Sequence, residues 1–240
     1  MESYGGDVCC CLRFVRARKL DFYAAETMIR KTMKFRKEER INSLLTDPSP
    51  LLIWQKWRPL WPGACTMLTK DKSPVLFFKL AHFLRFWDLD VPEEQLRICL
   101  QQQREGRRAP GSETMPACIE IFDLQGVGFA HARCLGGLKR FARIEQLGQL
   151  YYPEHLQQAV LTNVPATAFA ACWPVLKRVL DAKTANKIKA VPGNGNAVLP
   201  DLLGVSHAQA CKVVTSVLPY VASKADVQFV VGCSDIPLFK

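Results

Sequence analysis

Tyr151-Tyr152-Pro153-Glu154, the run Gln158-Ala159-Val160-Leu161-Thr162-Asn163-Val164-Pro165, an alanine-rich segment over 166–180, and Leu180-Asp181-Ala182-Lys183-Thr184-Ala185-Asn186-Lys187-Ile188 together decide the fold. The second run reads as a strand stopped by Pro165, because proline has no N–H for the ladder. Residues 166–180 read as a helix, and Ile188-Lys189-Ala190-Val191 as a further strand. Working outward, Ser73-Pro74 introduces a strand, Val75-Leu76-Phe77-Phe78-Lys79-Leu80. Ala117-Cys118-Ile119-Glu120-Ile121-Phe122 is another, running into the turn signal Asp123-Leu124-Gln125-Gly126. Residues 93–103 are helical, with Pro92 suitably placed at the start. Residues 133–150 are helical with Leu135, Leu138, Phe141, Ala142 and Leu147 inward. Strands alternating with helices predict an α/β fold: a mostly parallel sheet with helices against it. Helical patterning returns from Ala197, after a Pro192-Gly193-Asn194-Gly195-Asn196 loop that lacks the lysine and hydroxyl of a phosphate cradle.

The N-terminal part reads differently. Residues 8–15 form a short helix, Asp21 is the expected N-cap of the next, and Phe22, Ala25, Ile29, Met33 and Arg36 recur at helical spacing until near Glu39. Asp47-Pro48-Ser49-Pro50 reads as a break. The expected organisation is a helical region over 1–45, an α/β domain over 46–223 and an unassigned tail over 224–240. Trp54, Trp57 and Trp61, with Pro59 and Pro62, suggest irregular packing rather than a helix. Residues 101–113 read as a surface loop.

Composition excludes several classes. With 240 residues, 49% of them hydrophobic, the chain suits one domain, or one with a helical appendage, and its core is large enough to hold a cavity. The net charge of +10 suits nucleic acid, an anionic membrane surface, or solubility alone. Arg13, Arg16, Arg18 and Lys19 cluster, as do Arg104, Arg107 and Arg108, but without interleaved base-stacking aromatics, so no nucleic acid is expected as a partner. The first seven residues are polar and too short for a signal core, so the 10 cysteines are expected to be free thiols in a reducing cytosol. Cys9-Cys10-Cys11 reads as a small apolar stripe on a buried helix, a palmitoylation site or a redox sensor. Without a Cys-x-x-Cys pair, and with few histidines, no metal or other cofactor is expected. No apolar run reaches the roughly 18 residues needed to span a bilayer. No Gly-x-Ser-x-Gly or His-Glu-x-x-His occurs, and nothing in the sequence joins Asp123 to Glu154, so no catalytic site is expected.

Glu154 follows Pro153 at the approach to a strand; as a carboxylate it only accepts hydrogen bonds. Thr184 and Lys187 share a helical face and both donate. An acid, a hydroxyl and a lysine around an apolar wall suit a ligand with a phosphate-bearing head on a large apolar body. On spacing alone, a surface acid and a solvated turn describe them equally well.

These residues resemble the CRAL-TRIO lipid-binding family, most nearly its phosphatidylinositol transfer branch. Leu12-Arg13-Phe14-Val15-Arg16-Ala17-Arg18-Lys19-Leu20-Asp21, with Phe35-Arg36-Lys37, is similar to the end of the family's small helical domain. Ile121-Phe122-Asp123-Leu124-Gln125-Gly126 is similar to its strand-and-turn signature, and 151–188 to its central strand, gate helix and following turn. The resemblance implies a sheet flooring a lipid cavity, covered by helices and a mobile gate helix, with the N-terminal helical domain truncated. It implies a phospholipid headgroup site at Arg18, Lys19, Glu154, Thr184 and Lys187, and cavity or gate roles for Phe78, Cys118, Glu120, Phe169, Cys172, Trp173 and Leu176. It also implies non-enzymatic binding and transfer or presentation of a phospholipid, phosphatidylinositol above others, by a cytoplasmic protein transiently at an anionic membrane. A carrier of another small hydrophobic ligand and a non-transferring regulator are the alternatives. Three departures stand out. Cys118 and Glu120 replace the small hydroxyl residues of the choline-lipid branch, Pro174 interrupts the gate helix, and Val221-Ala222-Ser223 stands where a glycine pair should follow Leu218-Pro219.

Overall fold

The computed structural model describes residues 8–57, 63–71, 73–82, 91–105, 117–128, 146–165 and 182–215, with 143, 170, 173–174 and 177. In chain order these hold α1 (Val8–Ala17), α2 (Phe22–Glu38), α3 (Pro48–Trp57), β1 (Gly63–Leu68), β2 (Pro74–Lys79), α4 (Glu93–Glu105), β3 (Cys118–Asp123), β4 (Leu156–Thr162), α5 (Ala182–Asn186), β5 (Ile188–Ala190), α6 (Leu199–Leu203) and α7 (His207–Thr215). Residues 146–151 are also helical.

The five strands lie in the order β1-β2-β3-β4-β5. β2, β3, β4 and β5 run parallel, and β1 joins β2 antiparallel at the edge. Register puts Leu76, Glu120 and Ala159 side by side, with Phe77, Ile121 and Val160 one step along. Because side chains alternate, these two rows face opposite sides of the sheet. Val75, Phe77, Ile119, Ile121 and Val160 pack against Leu199, Leu203 and Ala210 of α6 and α7. Leu76, Phe78 and Cys118 pack against Leu96, Cys99 and Leu100 of α4, with Trp54 and Trp57 of α3 beside them. A parallel sheet is covered on both faces, so its strands are apolar throughout; β2 is buried from Pro74 to Phe78.

The mostly parallel α/β architecture agrees with the sequence reading, but four details differ. β1 was not anticipated: Gly63-Ala64-Cys65-Thr66-Met67-Leu68 is short and has proline just before it. It is an edge strand closed by a hairpin in which the Thr69 N–H donates to the Ser73 carbonyl at 2.9 Å. The segment bearing Trp54 and Trp57 is helical rather than irregular. Pro48 and Pro50 lie in the first turn of α3, where the missing N–H costs nothing. Residues 101–105 are the last turn of α4 rather than a loop, and Gln101, Gln102 and Glu105 are buried. In α2, Phe22 is 72% exposed, and the buried face is Ala25, Met28, Thr32, Phe35 and Arg36. Polar members disguised that stripe: the Thr32 hydroxyl donates to the Met28 carbonyl at 2.9 Å, so it is satisfied within the helix. Asp21 does cap α2, accepting from the Ala24 N–H at 2.9 Å.

The end of α2 is fastened to α4. Arg36 Nη1 and Nη2 donate to Glu105 Oε1 and Oε2 at 2.7 and 3.1 Å, and Nη2 also donates to Asn42 Oδ1 at 2.9 Å. Both charged side chains are buried. Phe35 stacks on Tyr151 with centroids 3.8 Å apart, Gln102 Nε2 donates to the Leu44 carbonyl at 2.8 Å, and Arg97 pairs with Glu39 at 2.8 Å. Removing one member of a buried ion pair strands the other in a low dielectric. Glu105→Ala is therefore expected to cost about 3–5 kcal/mol in urea unfolding of the full chain, with Arg36→Met plus Glu105→Leu recovering most of it.

Cys99 is fully enclosed beneath α4, and burial pushes its thiol up from 9.0 to about 12. The folded state keeps the thiol proton longer than the unfolded chain. Its contribution is therefore complete below pH 9 and is lost as the pH climbs from 9 toward 12. The urea midpoint of the wild type is expected to fall more steeply over that window than that of Cys99→Ala. Mapping with a thiol reagent below pH 9 should label Cys99 only after unfolding.

Candidate functional site

A cavity of about 880 Å³ opens on the α4 side of the sheet. Phe78, Glu120, Phe122 and Leu156 form its floor; α4 contributes Leu100 and Arg104, and the stretch 146–156 and the end of α1 complete the walls with α5. The floor is set by register, since Phe78 and Phe122 are partners on β2 and β3 and their rings stack at 5.2 Å. Gly63 of β1 is the pairing partner of Phe78 on β2, and a Cβ there would fall 2.1 Å from the ring.

The rim carries charge. Among the described lining residues, six cations (Arg16, Arg18, Lys19, Arg104, Lys183 and Lys187) face two carboxylates, Glu120 and Glu154. The helix over 146–151 ends in a turn: Tyr152 N–H donates to the Gly148 carbonyl at 2.9 Å, and Glu154 takes a left-handed φ of 57°. That turn delivers the Glu154 carboxylate to α5, where it accepts from Lys183 Nζ and, at 3.5 Å, from Lys187 Nζ. Lys187 Nζ also donates to the Leu156 carbonyl at 2.6 Å, tying the end of α5 to the start of β4. Lys183 and Lys187 are one helical turn apart, with half-buried Thr184 beside them. Arg104 lies over the buried Tyr152 ring, 5.4 Å from its centroid, and Tyr152 meets His155 edge-on at 5.4 Å.

All five residues singled out as a headgroup site, Arg18, Lys19, Glu154, Thr184 and Lys187, line this one cavity, as do Phe78 and Glu120. Cys118 lies on the same sheet face but is enclosed in the core, with its Sγ 3.6 Å from Glu120 Oε1. In the gate segment Ala170, Trp173, Pro174 and Lys177 are helical, with Trp173 half-buried and Pro174 exposed; Phe169, Cys172 and Leu176 lie outside the described residues, as do 133–142 and the tail over 224–240. Three rim cations, Arg16, Lys183 and Arg104, lie outside the expected headgroup site. Lys183 carried a usable signal, its spacing of four from Lys187. Arg104 carried none, since it was placed in a loop. Asp123 plays another part: it is buried and accepts from Asn163 Nδ2 at 2.8 Å and the Gln125 N–H at 2.9 Å. It closes the far end of β3, away from Glu154. No helix among the described residues is long and apolar enough to cross a membrane.

The CRAL/TRIO domain model matches residues 62–203. The chain belongs to the CRAL/TRIO domain family. It is 30% identical over 200 residues to the SEC14 cytosolic factor of Yarrowia lipolytica, covering 76% of this chain and 38% of that protein. The SEC14 cytosolic factor of Eremothecium gossypii is 28% identical over 190 residues, covering 74% of this chain and 59% of its own length. The chain thus spans less than two thirds of either relative. Among solved structures, Sfh5 superposes with a TM-score of 0.60 at 16% identity, covering 82% of this chain and 70% of that one, a likeness of fold. The CRAL/TRIO match contains the sheet, Glu154, Thr184 and both α5 lysines, whereas Arg16, Arg18 and Lys19 reach the rim from α1, outside the matched residues.

Gly63→Ala tests the floor. Its methyl group must displace the Phe78 ring toward the cavity, so a loss of about 1–3 kcal/mol is expected in urea unfolding, together with weaker uptake of an apolar fluorescent dye.

Proposed function

We propose that this chain binds a phospholipid, phosphatidylinositol in preference to others, and transfers or presents it at membranes without covalent chemistry. The observation that carries the reading is the convergence of Arg18, Lys19, Glu154, Thr184 and Lys187 on one cavity with an apolar floor. An amphiphile needs both parts. Apolar burial contributes about 0.8 kcal/mol per CH₂ of acyl chain, while charge-assisted bonds from lysine fix the phosphate.

The roles follow from donor and acceptor inventory. Lys187, Lys183 and Thr184 donate to phosphate oxygens. Glu154 pairs with both lysines; a phosphate headgroup takes the ammonium groups over, and the carboxylate turns to inositol hydroxyls. Arg18 and Lys19 close the rim from α1. Cys118 and Glu120 stand where the choline-lipid branch carries small hydroxyl residues, so those hydroxyl donors are lacking here, which disfavours phosphatidylcholine. The segment over 166–180, which the sequence reads as a helix, acts as the gate. The protein works in the cytoplasm and touches an anionic membrane transiently, a reading that fits relatives named cytosolic factors.

Exchange of labelled phosphatidylinositol between vesicles tests the assignment. Lys187→Ala is expected to lower exchange at least about tenfold, roughly 1.4 kcal/mol, while the variant still folds and melts cooperatively. Lys183→Ala should cost less, because that side chain is 52% exposed and solvent weakens its pull. Unaltered exchange by Lys187→Ala would remove the headgroup site. Lipid extraction with mass analysis identifies the cargo directly.

A further inference from the structure

Four of the eight large apolar side chains that are exposed among the described residues fall within one short stretch: Leu12 (42%), Leu20 (67%), Phe22 (72%) and Tyr23 (82%). They flank the elbow between α1 and α2. Its backbone is unusual. Lys19 and Leu20 take φ of 52° and 70°, a region that side chains other than glycine avoid. Leu20 N–H donates back to the Val15 carbonyl at 3.0 Å, ending α1, and Asp21 immediately caps α2. The reversal holds Lys19 at the cavity rim while the next apolar side chains stand in solvent. Ordinary surface leucines occur singly; a leucine, a phenylalanine and a tyrosine within four positions do not.

Charge narrows the partner. Between Val8 and Tyr23 the chain carries Arg13, Arg16, Arg18 and Lys19 against the single acid Asp21, and that acid is engaged as a helix cap. Leu12 and Arg16 are four apart on the exposed face of α1, so apolar and cationic groups alternate there. Arg16 and Lys19 belong to the cavity mouth, as does Leu150, itself 50% exposed.

We propose that the α1–α2 elbow is the docking surface for an anionic lipid bilayer, with Leu20, Phe22 and Tyr23 entering the headgroup layer and the flanking arginines and lysine meeting lipid phosphates. This deepens the lipid-carrying reading, because the docked face brings the cavity mouth to the bilayer from which a lipid would enter. Each cation near a charged surface strengthens attachment about fivefold, and the apolar side chains hold the protein once there.

Co-sedimentation of the full chain with phosphatidylcholine vesicles, with and without phosphatidylserine, tests the proposal. The variant is Leu20→Asn, Phe22→Ser, Tyr23→Ser; all three positions are solvent-exposed and asparagine tolerates the left-handed backbone. The wild type is expected to bind the anionic vesicles and the variant to bind them about tenfold or more weakly, with the same melting temperature and the same lipid yield on extraction. Equal binding by the variant overturns the proposal, as does a wild type indifferent to phosphatidylserine. So does a wild type that dimerises where the variant is monomeric, since the surface then belongs to a second copy. If neither protein yields lipid but only the wild type binds vesicles, the docking surface stands and the carrier reading fails.

Discussion

A guanidinium and a carboxylate buried together hold the N-terminal helices in place. Arg36 and Glu105 meet through two hydrogen bonds in a setting that excludes water. Either charge alone there would be strongly unfavourable, so the pair fixes α2 against α4 in one arrangement. The cavity depends on that arrangement, because the same helix α4 supplies Leu100 and Arg104 to its wall. α1, packed on α2 through Phe14, Ala25 and Met28, supplies Arg16, Arg18 and Lys19 to its rim. The contact thus sets three rim cations from the end of α1 against a fourth, Arg104, beside Glu105 itself.

The order of strands and helices was legible because it rests on patterns of local origin. β2, β3 and β4 are apolar runs bounded by proline or a turn, and a parallel sheet covered on both faces needs such runs. What stayed hidden rests on pairing between distant parts of the chain. Arg36 and Glu105 are polar residues that become buried only by finding each other, so α2 and the end of α4 look more exposed in sequence than they are. β1 is stabilised by its neighbour and its hairpin rather than by its own composition. In the rim, Glu154, Thr184 and Lys187 were visible through the order of a family's motifs; Lys183 was missed, although its spacing of four from Lys187 could have found it. Arg104 was not visible, since only the fold brings it over Tyr152.

Glu154 stands between two lysines, where an anion is favoured. Its carboxylate accepts from Lys183 and Lys187, while Lys187 keeps a shorter bond to the Leu156 carbonyl. Two ammonium groups on one helical face repel each other, and the carboxylate between them offsets that repulsion. On the proposed reading, a phosphate headgroup would exchange one set of charge-assisted bonds for another instead of desolvating bare cations. That exchange would lower the net gain on binding and ease release, a balance that suits the proposed carrier.

The position of this rim departs from a common rule. Ligands of open parallel sheets gather at the carboxyl ends of the strands, where loops diverge. Here the described residues at the ends of β3 and β4 are tied to one another. Asp123 accepts from Asn163 and Gln125, Leu124 N–H donates to the Thr162 carbonyl at 3.0 Å, and Gly195 packs so closely on Thr162 that a Cβ would lie 2.9 Å from its methyl. Glu154 and Leu156 instead stand at the amino end of β4. A small polar ligand is served by loop backbone and helix ends. The proposed ligand, a long amphiphile, needs a wide apolar surface, and among the described residues the face of the sheet supplies one. Once the body lies on the face, its head must be met by side chains that reach over from α1, α4 and α5, and long cationic side chains meet that need.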